Sequence, residues 1–368
     1  MSAQVSADVD RRFMELALTL GRRGLGRTWP NPAVGAVIVK DGVIVGRGWT
    51  QPGGRPHAEV EALRRAGDAA RGATLYVTLE PCSHYGKSPP CADAVIAAGI
   101  ARVVSALEDP NPEVAGQGFS QLRATGIAVD VGVGAAAARR DHAGHILRMT
   151  AGRPHVLLKL AISADGKAAA AGGKPVAITG EAVRDRVHCL RARSDAIMVG
   201  IGTVLTDDPL LTCRLLGMAK YSPVRVVLDT TLRLPVGARL VQTAHYTPTW
   251  VVAGAQAPPE AENVLLAHGV EVLRSPASVH RIDLKDALEF LAAKGITRLM
   301  VEGGPALAAA FLAADLVDEA ILFHAPKIIG TDGVDALASD SASALTSRLK
   351  LVAREPVGAD TQETYERK

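Results

Sequence analysis

Apolar and polar positions divide the chain into two blocks, each switching between strand-like and helix-like spacing. In the first, Phe13, Leu16, Ala17 and Leu20 recur at helical intervals behind Ser6-Ala-Asp-Val-Asp10, which reads as a capped helix start. Ala33–Val39 and Val43–Gly48 are apolar, β-branched runs around Lys40-Asp-Gly42, and Asp-Gly between two such runs signals a hairpin. The pattern then predicts a helix over about 58–66, a strand over 73–78, a helix over about 91–98 and strands over 102–106 and 128–133. This is an α/β layer with an N-terminal hairpin. Residues 135–149 read as one helix running into a linker around 146–153, which contains Thr150-Ala-Gly-Arg-Pro154.

The second block opens with a strand over 155–162. Further strands are expected at 196–199, 224–228, 249–252 and 298–301, with helices over 181–193 and 284–293. That order predicts a largely parallel sheet covered by helices. A length of 368 residues favours two domains, set at 1–148 and 149–368. No repeat of fixed period occurs, and 339–368 has no legible pattern.

Composition narrows the class. Hydrophobic residues make up 48% and aromatics 4%, so the cores must be built from Ala, Val, Leu and Ile. The net charge is +3 and the basic residues fall in pairs such as Arg22–Arg23 and Arg139–Arg140, so no nucleic-acid partner is expected. No signal peptide is legible, and no apolar run approaches the ~20 residues of a membrane span. Four cysteines do not make a disulfide framework. A cytoplasmic enzyme acting on a small molecule is the expectation.

The chemistry concentrates in His57-Ala-Glu59 and in Glu80-Pro-Cys82 followed by Pro90-Cys91. One imidazole and two thiolates leave a fourth position open on a zinc ion, where a water can sit. Both cysteines are expected near helix starts, where the dipole favours the thiolate. Glu59 is close enough to His57 to exchange protons with such a water without binding the metal. His-x-Glu followed by Pro-Cys and Cys is the general arrangement of the zinc deaminases. A lone His-x-Glu is usually a surface pair, and two cysteines nine apart are more often buried thiols. A closed structural zinc site would want a fourth ligand, and Glu59 is the wrong kind of residue for one. Cys189 and Cys213 read as ordinary small hydrophobes. Eight residues separate Cys82 from Cys91, against the two of most zinc deaminases. That loop puts His84 and Lys87 beside the metal, where they suit a substrate bearing a phosphate or several polar substituents.

In the second block, Glu302-Gly-Gly-Pro305 joins a strand to a helix over 306–313, and Val199-Gly-Ile-Gly-Thr203 is another glycine turn after a strand. Such turns let backbone N–H groups approach a pyrophosphate. Neither is a Gly-x-Gly-x-x-Gly fingerprint, and each is equally readable as an ordinary tight turn.

Several motifs together resemble the bifunctional riboflavin-biosynthesis deaminase/reductase family. They are Pro30-Asn-Pro-Ala-Val-Gly35, His57-Ala-Glu-Val60, Thr78-Leu-Glu-Pro-Cys-Ser-His-Tyr-Gly-Lys-Ser-Pro-Pro-Cys91 and Asp109-Pro-Asn-Pro112 with Val114 and Gly116. Lys159-Leu-Ala-Ile-Ser-Ala-Asp-Gly166, Asp195-Ala-Ile-Met-Val-Gly-Ile-Gly-Thr203, Asp207-Asp-Pro-Leu-Leu-Thr212 and Val301-Glu-Gly-Gly304 extend the likeness over roughly residues 10–335. The resemblance implies a cytidine-deaminase-like α/β/α domain followed by a dihydrofolate-reductase-like α/β domain. It implies zinc on His57, Cys82 and Cys91, Glu59 as proton shuttle, and Asn31, His84 and Lys87 on the deaminase substrate, 2,5-diamino-6-(5-phosphoribosylamino)pyrimidin-4-one. It implies NADPH at Ala161, Ala177, Thr203, Asp207 and at Gly304, Pro305, Ala306, Leu307, Ala308, Ala309 and Ala310. The phosphosugar substrate, whose ribosyl chain is reduced to ribityl, would meet Lys159, Pro175, Arg191, Leu211, Arg214 and Glu302. A homo-oligomer built through the reductase domain is implied as well.

Three positions depart from the family pattern. Thr50 stands where a histidine is usual, which removes one contact to the deaminase substrate. Pro175 and Ala177 replace a serine and a tryptophan, which removes a hydroxyl donor and a flat surface against the cofactor. Weaker NADPH binding is expected. A deaminase of tRNA or free nucleotides fits less well, given the long inter-cysteine loop and the scattered basic residues. A non-catalytic zinc-stabilised sensor would have no need of Glu59.

Overall fold

The Asp41-Gly42 pair turns the chain as its sequence predicts. Both residues take positive φ, 50° and 79°, the geometry of a tight hairpin between right-twisted strands. The hairpin joins β1 (Gly35–Lys40) to β2 (Val43–Trp49) in the computed structural model, which describes residues 3–86, 88–112, 114–275 and 281–368. The chain divides into two compact units, 1–152 and 153–368, a division four residues beyond the boundary expected at 148/149.

In the first unit, helix α1 (Ala3–Gly21) precedes the hairpin, and α2 (Ala58–Ala66), β3 (Thr74–Val77), α3 (Cys91–Ala97), β4 (Arg102–Ser105), α4 (Gln117–Ala124) and β5 (Ala128–Val131) follow it. The five-stranded sheet runs β2-β1-β3-β4-β5, antiparallel at the hairpin and between β1 and β3, and parallel from β3 to β5. Its core is aliphatic, with Val37, Ile38, Leu75, Val77 and Val103 all fully buried. Two glycines set the seat of α2. A Cβ at Gly46 would stand 2.3 Å from the Ala62 carbonyl oxygen, and one at Gly48 would stand 2.3 Å from that of Ala58. The helix therefore lies directly on the backbone of β2, and its first turn is fixed against the sheet. The helix expected over 135–149 is two, α5 (Ala135–Asp141) and α6 (Ala143–Ala151), separated at His142, whose buried ring bonds Thr78 Oγ1 at 3.0 Å.

The second unit begins with β6 (His155–Ile162), β7 (Lys167–Ala169), α7 (Glu181–Ala192), β8 (Ala196–Gly200), α8 (Ile201–Asp207) and β9 (Val224–Leu228). Next come α9 (Arg239–Gln242), β10 (Thr249–Gly254), α10 (Pro259–Ala267), β11 (Glu271–Ser275), α11 (Leu284–Ala293), β12 (Arg298–Val301) and α12 (Pro305–Ala313). The unit ends with β13 (Glu319–His324), β14 (Val334–Asp335), α13 (Ser339–Arg348), β15 (Leu349–Val357) and β16 (Asp360–Arg367). Nine strands form one sheet in the order β11-β10-β9-β8-β12-β6-β13-β16-β15. It is parallel from β11 to β13, as its strand–helix alternation predicts, and antiparallel where β16 and β15 close it. The tail that carried no pattern thus forms a helix and two strands. Strands β7 and β14 pair separately. Cys213 is fully buried, whereas Cys189 is exposed on α7 and packs no core. Among the described residues no helix is long and apolar enough to cross a membrane.

Candidate functional site

Because α2 is pressed onto β2, its N-cap residue His57 and first-turn Glu59 have fixed positions. His57 Nδ1 lies 3.6 Å from Cys82 Sγ and 3.3 Å from Cys91 Sγ, and the three ligand atoms all lie within 4.8 Å of one another. Only Cys91 begins a helix, as the first residue of α3. Cys82, expected at a helix start of its own, sits in the preceding loop and reaches the same helix end. The Cys91 N–H donates to Cys82 Sγ at 3.3 Å and the Ala92 N–H to the Cys82 carbonyl at 3.1 Å. One helix N-terminus therefore serves both sulfurs. A side-chain hydrogen bond from the Cys91 thiol, with help from His57, holds the Cys82 thiol down to about 4. The same bond, together with burial, pushes Cys91 up.

Glu59 is 3% exposed, and burial pushes its carboxyl up to about 7. Its Oε2 is buried without a hydrogen-bond partner. One nitrogen and two sulfurs with a fourth side open is a donor set that suits zinc, and the orphaned oxygen beside it fits a polar occupant there.

The cavity at this centre, about 170 Å³, is also lined by Asn31, Thr50, Arg55, His84, Asn111 and Arg148. Asn31 Nδ2 donates to the Gly54 carbonyl at 2.8 Å and lies 3.4 Å from His57 Nε2. His84 is exposed at the rim, and Lys87 lies outside the described residues. Thr50 is 1% exposed, and its Oγ1 accepts the Val34 N–H at 3.0 Å, so its oxygen serves the backbone. The opposite wall hangs from Glu80, whose carboxylate accepts the N–H groups of Asp109 (3.1 Å), Gly116 (3.0 Å) and Phe119 (3.3 Å). Asp109 in turn pairs with His145 at 3.1 Å. Glu80, Asn111 and Arg55 carried no substrate or structural role in the sequence reading. Glu80 and Asn111 lay inside quoted motifs, and Arg55 had no pattern around it to mark it.

The second unit holds two cavities that share Lys159, Ala161, Ala168, Val176 and Glu302. The first, about 530 Å³, is lined by Thr203, Asp207, Gly304, Pro305, Ala306 and Leu307, together with Gly200 and Gly202. A Cβ at Gly200, Gly202 or Gly304 would meet nothing within 4 Å, so backbone faces open space at both glycine turns. Gly304 caps the nine-residue α12, where Pro305 has no N–H and the Leu307 and Ala308 N–H groups donate to the Gly304 carbonyl, so the Ala306 N–H is the donor in that first turn left to an anion. The second cavity, about 510 Å³, is lined by Arg184, His188, Arg191 and Arg214.

Some expected positions fall differently. Pro175, expected at the substrate, lines the glycine cavity, and Ala177, expected at the cofactor, lines the arginine cavity. Leu211 is buried at φ 54° and lines neither, as do Ala308, Ala309 and Ala310, of which Ala308 is core. Arg191 is bonded at 2.9 Å to each oxygen of Glu302 and at 3.1 Å to the Thr212 carbonyl, so its charge is already met. Lys159 Nζ stands 3.5 Å from the same carboxylate. Burial opposes ionisation of Glu302, yet Lys159 and Arg191 hold it down to about 2. Arg184 and Arg214 make no side-chain hydrogen bond or ion pair among the described residues. Arg184 and His188 escaped the sequence reading, although their spacing with Arg191 (i, i+4, i+7) marks one face of α7.

Residues 7–107 match the family model described as the cytidine and deoxycytidylate deaminase zinc-binding region, and residues 154–362 match the RibD C-terminal domain. The chain is 44% identical to the riboflavin biosynthesis protein RibD of Aquifex aeolicus (strain VF5), over 88% of either chain. It is also 44% identical to that of Escherichia coli (strain K12), over 88% of this chain and 89% of that one. Acinetobacter baumannii RibD, form 1, has the same fold with a TM-score of 0.88 and 38% identity, covering 98% of this chain and 99% of that one. A diaminohydroxyphosphoribosylaminopyrimidine deaminase/5-amino-6-(5-phosphoribosylamino)uracil reductase from Thermotoga maritima has a TM-score of 0.85 and 37% identity, covering 99% and 100%.

Proposed function

The chain belongs to the bifunctional deaminase/reductase family of riboflavin biosynthesis, and from that premise we propose how its residues divide the two reactions. The first reaction removes an amino group from 2,5-diamino-6-(5-phosphoribosylamino)pyrimidin-4(3H)-one. The second reduces the ribosyl side chain of 5-amino-6-(5-phosphoribosylamino)uracil to ribityl.

The observation that carries the deaminase assignment is the buried, half-unsatisfied Glu59 carboxylate beside His57, Cys82 and Cys91. Those three residues would hold zinc, which when bound lowers the pKa of a water towards neutrality. Glu59, pushed up to about 7, can both take and give a proton near neutral pH. It removes a proton from the attacking water and passes it to the ring nitrogen. It then carries the second proton of that water to the amino group, which leaves as ammonia while the carbonyl forms. Asn31 and His84 line the same cavity and would orient the pyrimidine, with Lys87 on the same loop.

In the second unit we assign NADPH to the glycine cavity, where Ala161, Thr203, Asp207 and the Gly304–Leu307 turn would hold it and where it supplies a hydride. The adjoining arginine cavity would take the phosphosugar. Lys159 lines both, so it would face the reacting sugar carbon, held 3.5 Å from the Glu302 carboxylate. Arg214, which makes no ion pair among the described residues, would meet the phosphate with a forked donor. Arg191 then acts as a brace for Glu302. The likeness to RibD also supports a homo-oligomer through this unit, read by light scattering of the purified protein, and a cytoplasmic location.

The test is a coupled assay on zinc-loaded protein, with ammonia release and NADPH oxidation followed separately. Ammonia release followed by NADPH loss is the expected result. Zinc bound at one per chain with neither reaction would sink the assignment.

A further inference from the structure

A phosphate dianion entering the deaminase cavity needs a cation whose charge is not already matched. The cationic side chains that line it are few. His57 faces the two sulfurs, His84 is exposed to solvent on the loop between the cysteines, His145 is paired with Asp109 at 3.1 Å, and Arg148 on α6 reaches the Pro30 carbonyl at 3.5 Å. Arg55 differs from these. It is half-buried, stands two residues before His57, and among the described residues makes no ion pair; its guanidinium donates to the Ser88 hydroxyl. That bond bridges from the segment before α2 to the loop between the two cysteines, so the planar fork sits over the cavity's rim with donors to spare.

Thr50, across the same cavity, cannot take over this task. Its hydroxyl oxygen accepts the Val34 N–H and the residue is 1% exposed. Of the acidic groups in the lining, Glu80 is bound to backbone N–H groups and Asp109 to His145, while Glu59 is buried beside the two sulfurs and makes no ion pair with Arg55. An anion at the rim therefore meets Arg55 without a competing carboxylate at that guanidinium.

We propose that Arg55 is the residue by which this chain recognises the 5′-phosphate of its deaminase substrate. The inference rests on the deaminase reading above and assigns the specificity-determining contact within it. An arginine suits this because two N–H groups can bond two phosphate oxygens in parallel.

The test uses the full-length, zinc-loaded protein and two compounds, the phosphorylated substrate and its dephosphorylated ribosyl counterpart. Arg55→Gln should raise KM for the phosphorylated compound about 10- to 100-fold, the effect of losing charge-assisted hydrogen bonds. It should leave kcat, zinc content and the KM for the dephosphorylated compound unchanged. Arg55→Lys should recover part of the loss. Ser88→Ala, which cuts the loop tie and keeps the guanidinium, should leave the preference for the phosphorylated compound intact. The proposal is overturned if Arg55→Gln alters KM equally for both compounds, because that marks a residue that only positions the loop. It is also overturned if the variant changes neither. A wild-type chain that releases no ammonia from either compound defeats the deaminase reading instead. Calorimetric binding of ribose 5-phosphate then decides the contact: weaker binding to Arg55→Gln supports it, and equal binding to both proteins overturns it.

Discussion

Glu59 shows what a single carboxylate gains from its surroundings. With 3% of its surface exposed it is driven up to about 7, and among the described residues no group satisfies its second oxygen. Glu59→Gln keeps the shape and removes the proton exchange. The variant should retain zinc, measured by mass spectrometry, and release ammonia about 10²- to 10⁴-fold more slowly. Reduction of the uracil substrate by the same preparation should be unaffected. In the second unit the residue to test is Arg214. Arg191 is committed to Glu302, so Arg214→Gln should raise KM for the phosphosugar with kcat held, while Arg191→Gln should lower kcat by releasing Glu302 and Lys159 from their arrangement. Steady-state kinetics on the two variants separates these outcomes. At this scale the sequence was most legible where residue types are rare and spacing is rigid, as in His57, Glu59, Cys82 and Cys91. Arg55 and Arg184 were invisible because an arginine in a loop or on a helix is ordinary until its neighbours are known.

Elements carry these side chains only as well as they pack. Helix α2 rests on Gly46 and Gly48 of β2, and Gly48→Ala would drive a methyl to within 2.3 Å of the Ala58 carbonyl oxygen. Overpacking of this kind costs about 1–3 kcal/mol. Because it lifts the end of α2 that bears His57, zinc affinity should fall along with the melting temperature. A competing chelator titration alongside thermal unfolding measures both. The segment around Pro175 and Ala177 offers the opposite experiment. It is irregular, exposed, and tied down by Lys327 Nζ donating to the Ala177 carbonyl at 2.7 Å. Ala177→Trp puts an aromatic face into the arginine cavity, so it should change KM for the phosphosugar about 3- to 10-fold and leave NADPH affinity, read by fluorescence titration, unchanged. Unchanged affinity would mean that Ala177, which lines the arginine cavity, does not touch the cofactor. Periodicity announced β6 and β12 because apolar side chains fill most of their positions. It missed β15 and β16, whose exposed positions and interleaved charges hide their alternation, and it ran α5 and α6 together because the break at His142 comes from a tertiary bond to Thr78.

Across the whole molecule, two cores and two sets of titrating groups predict an uneven response to acid. His155, at the start of the inner strand β6, is pushed down to about 3 by burial and by Arg298. The folded protein keeps this ring neutral while the unfolded chain protonates it near 6.5. The stability it contributes is therefore complete above about pH 6.5 and lost as pH falls from there towards 3, at up to about 1.4 kcal/mol per pH unit. Glu302, held at about 2, loses its share in the same direction below 4.5. Calorimetry between pH 7 and 4 should show the second unit's transition moving down, and His155→Gln should flatten that slope. The parallel order of the large sheet was readable from strand–helix alternation, whereas the antiparallel closure by β16 and β15 was not, since pairing partners far apart in the chain leave no local mark. The division at Gly152 and Arg153, with a complete cavity system on either side, also has a meaning in genetics. An allele carrying Glu59→Gln and another carrying Lys159→Ala should each spoil one half and leave the other whole. Placed together in a cell that needs both reactions, two such defective genes should complement each other and restore growth without added vitamin, whereas two alleles damaged in the same half should not.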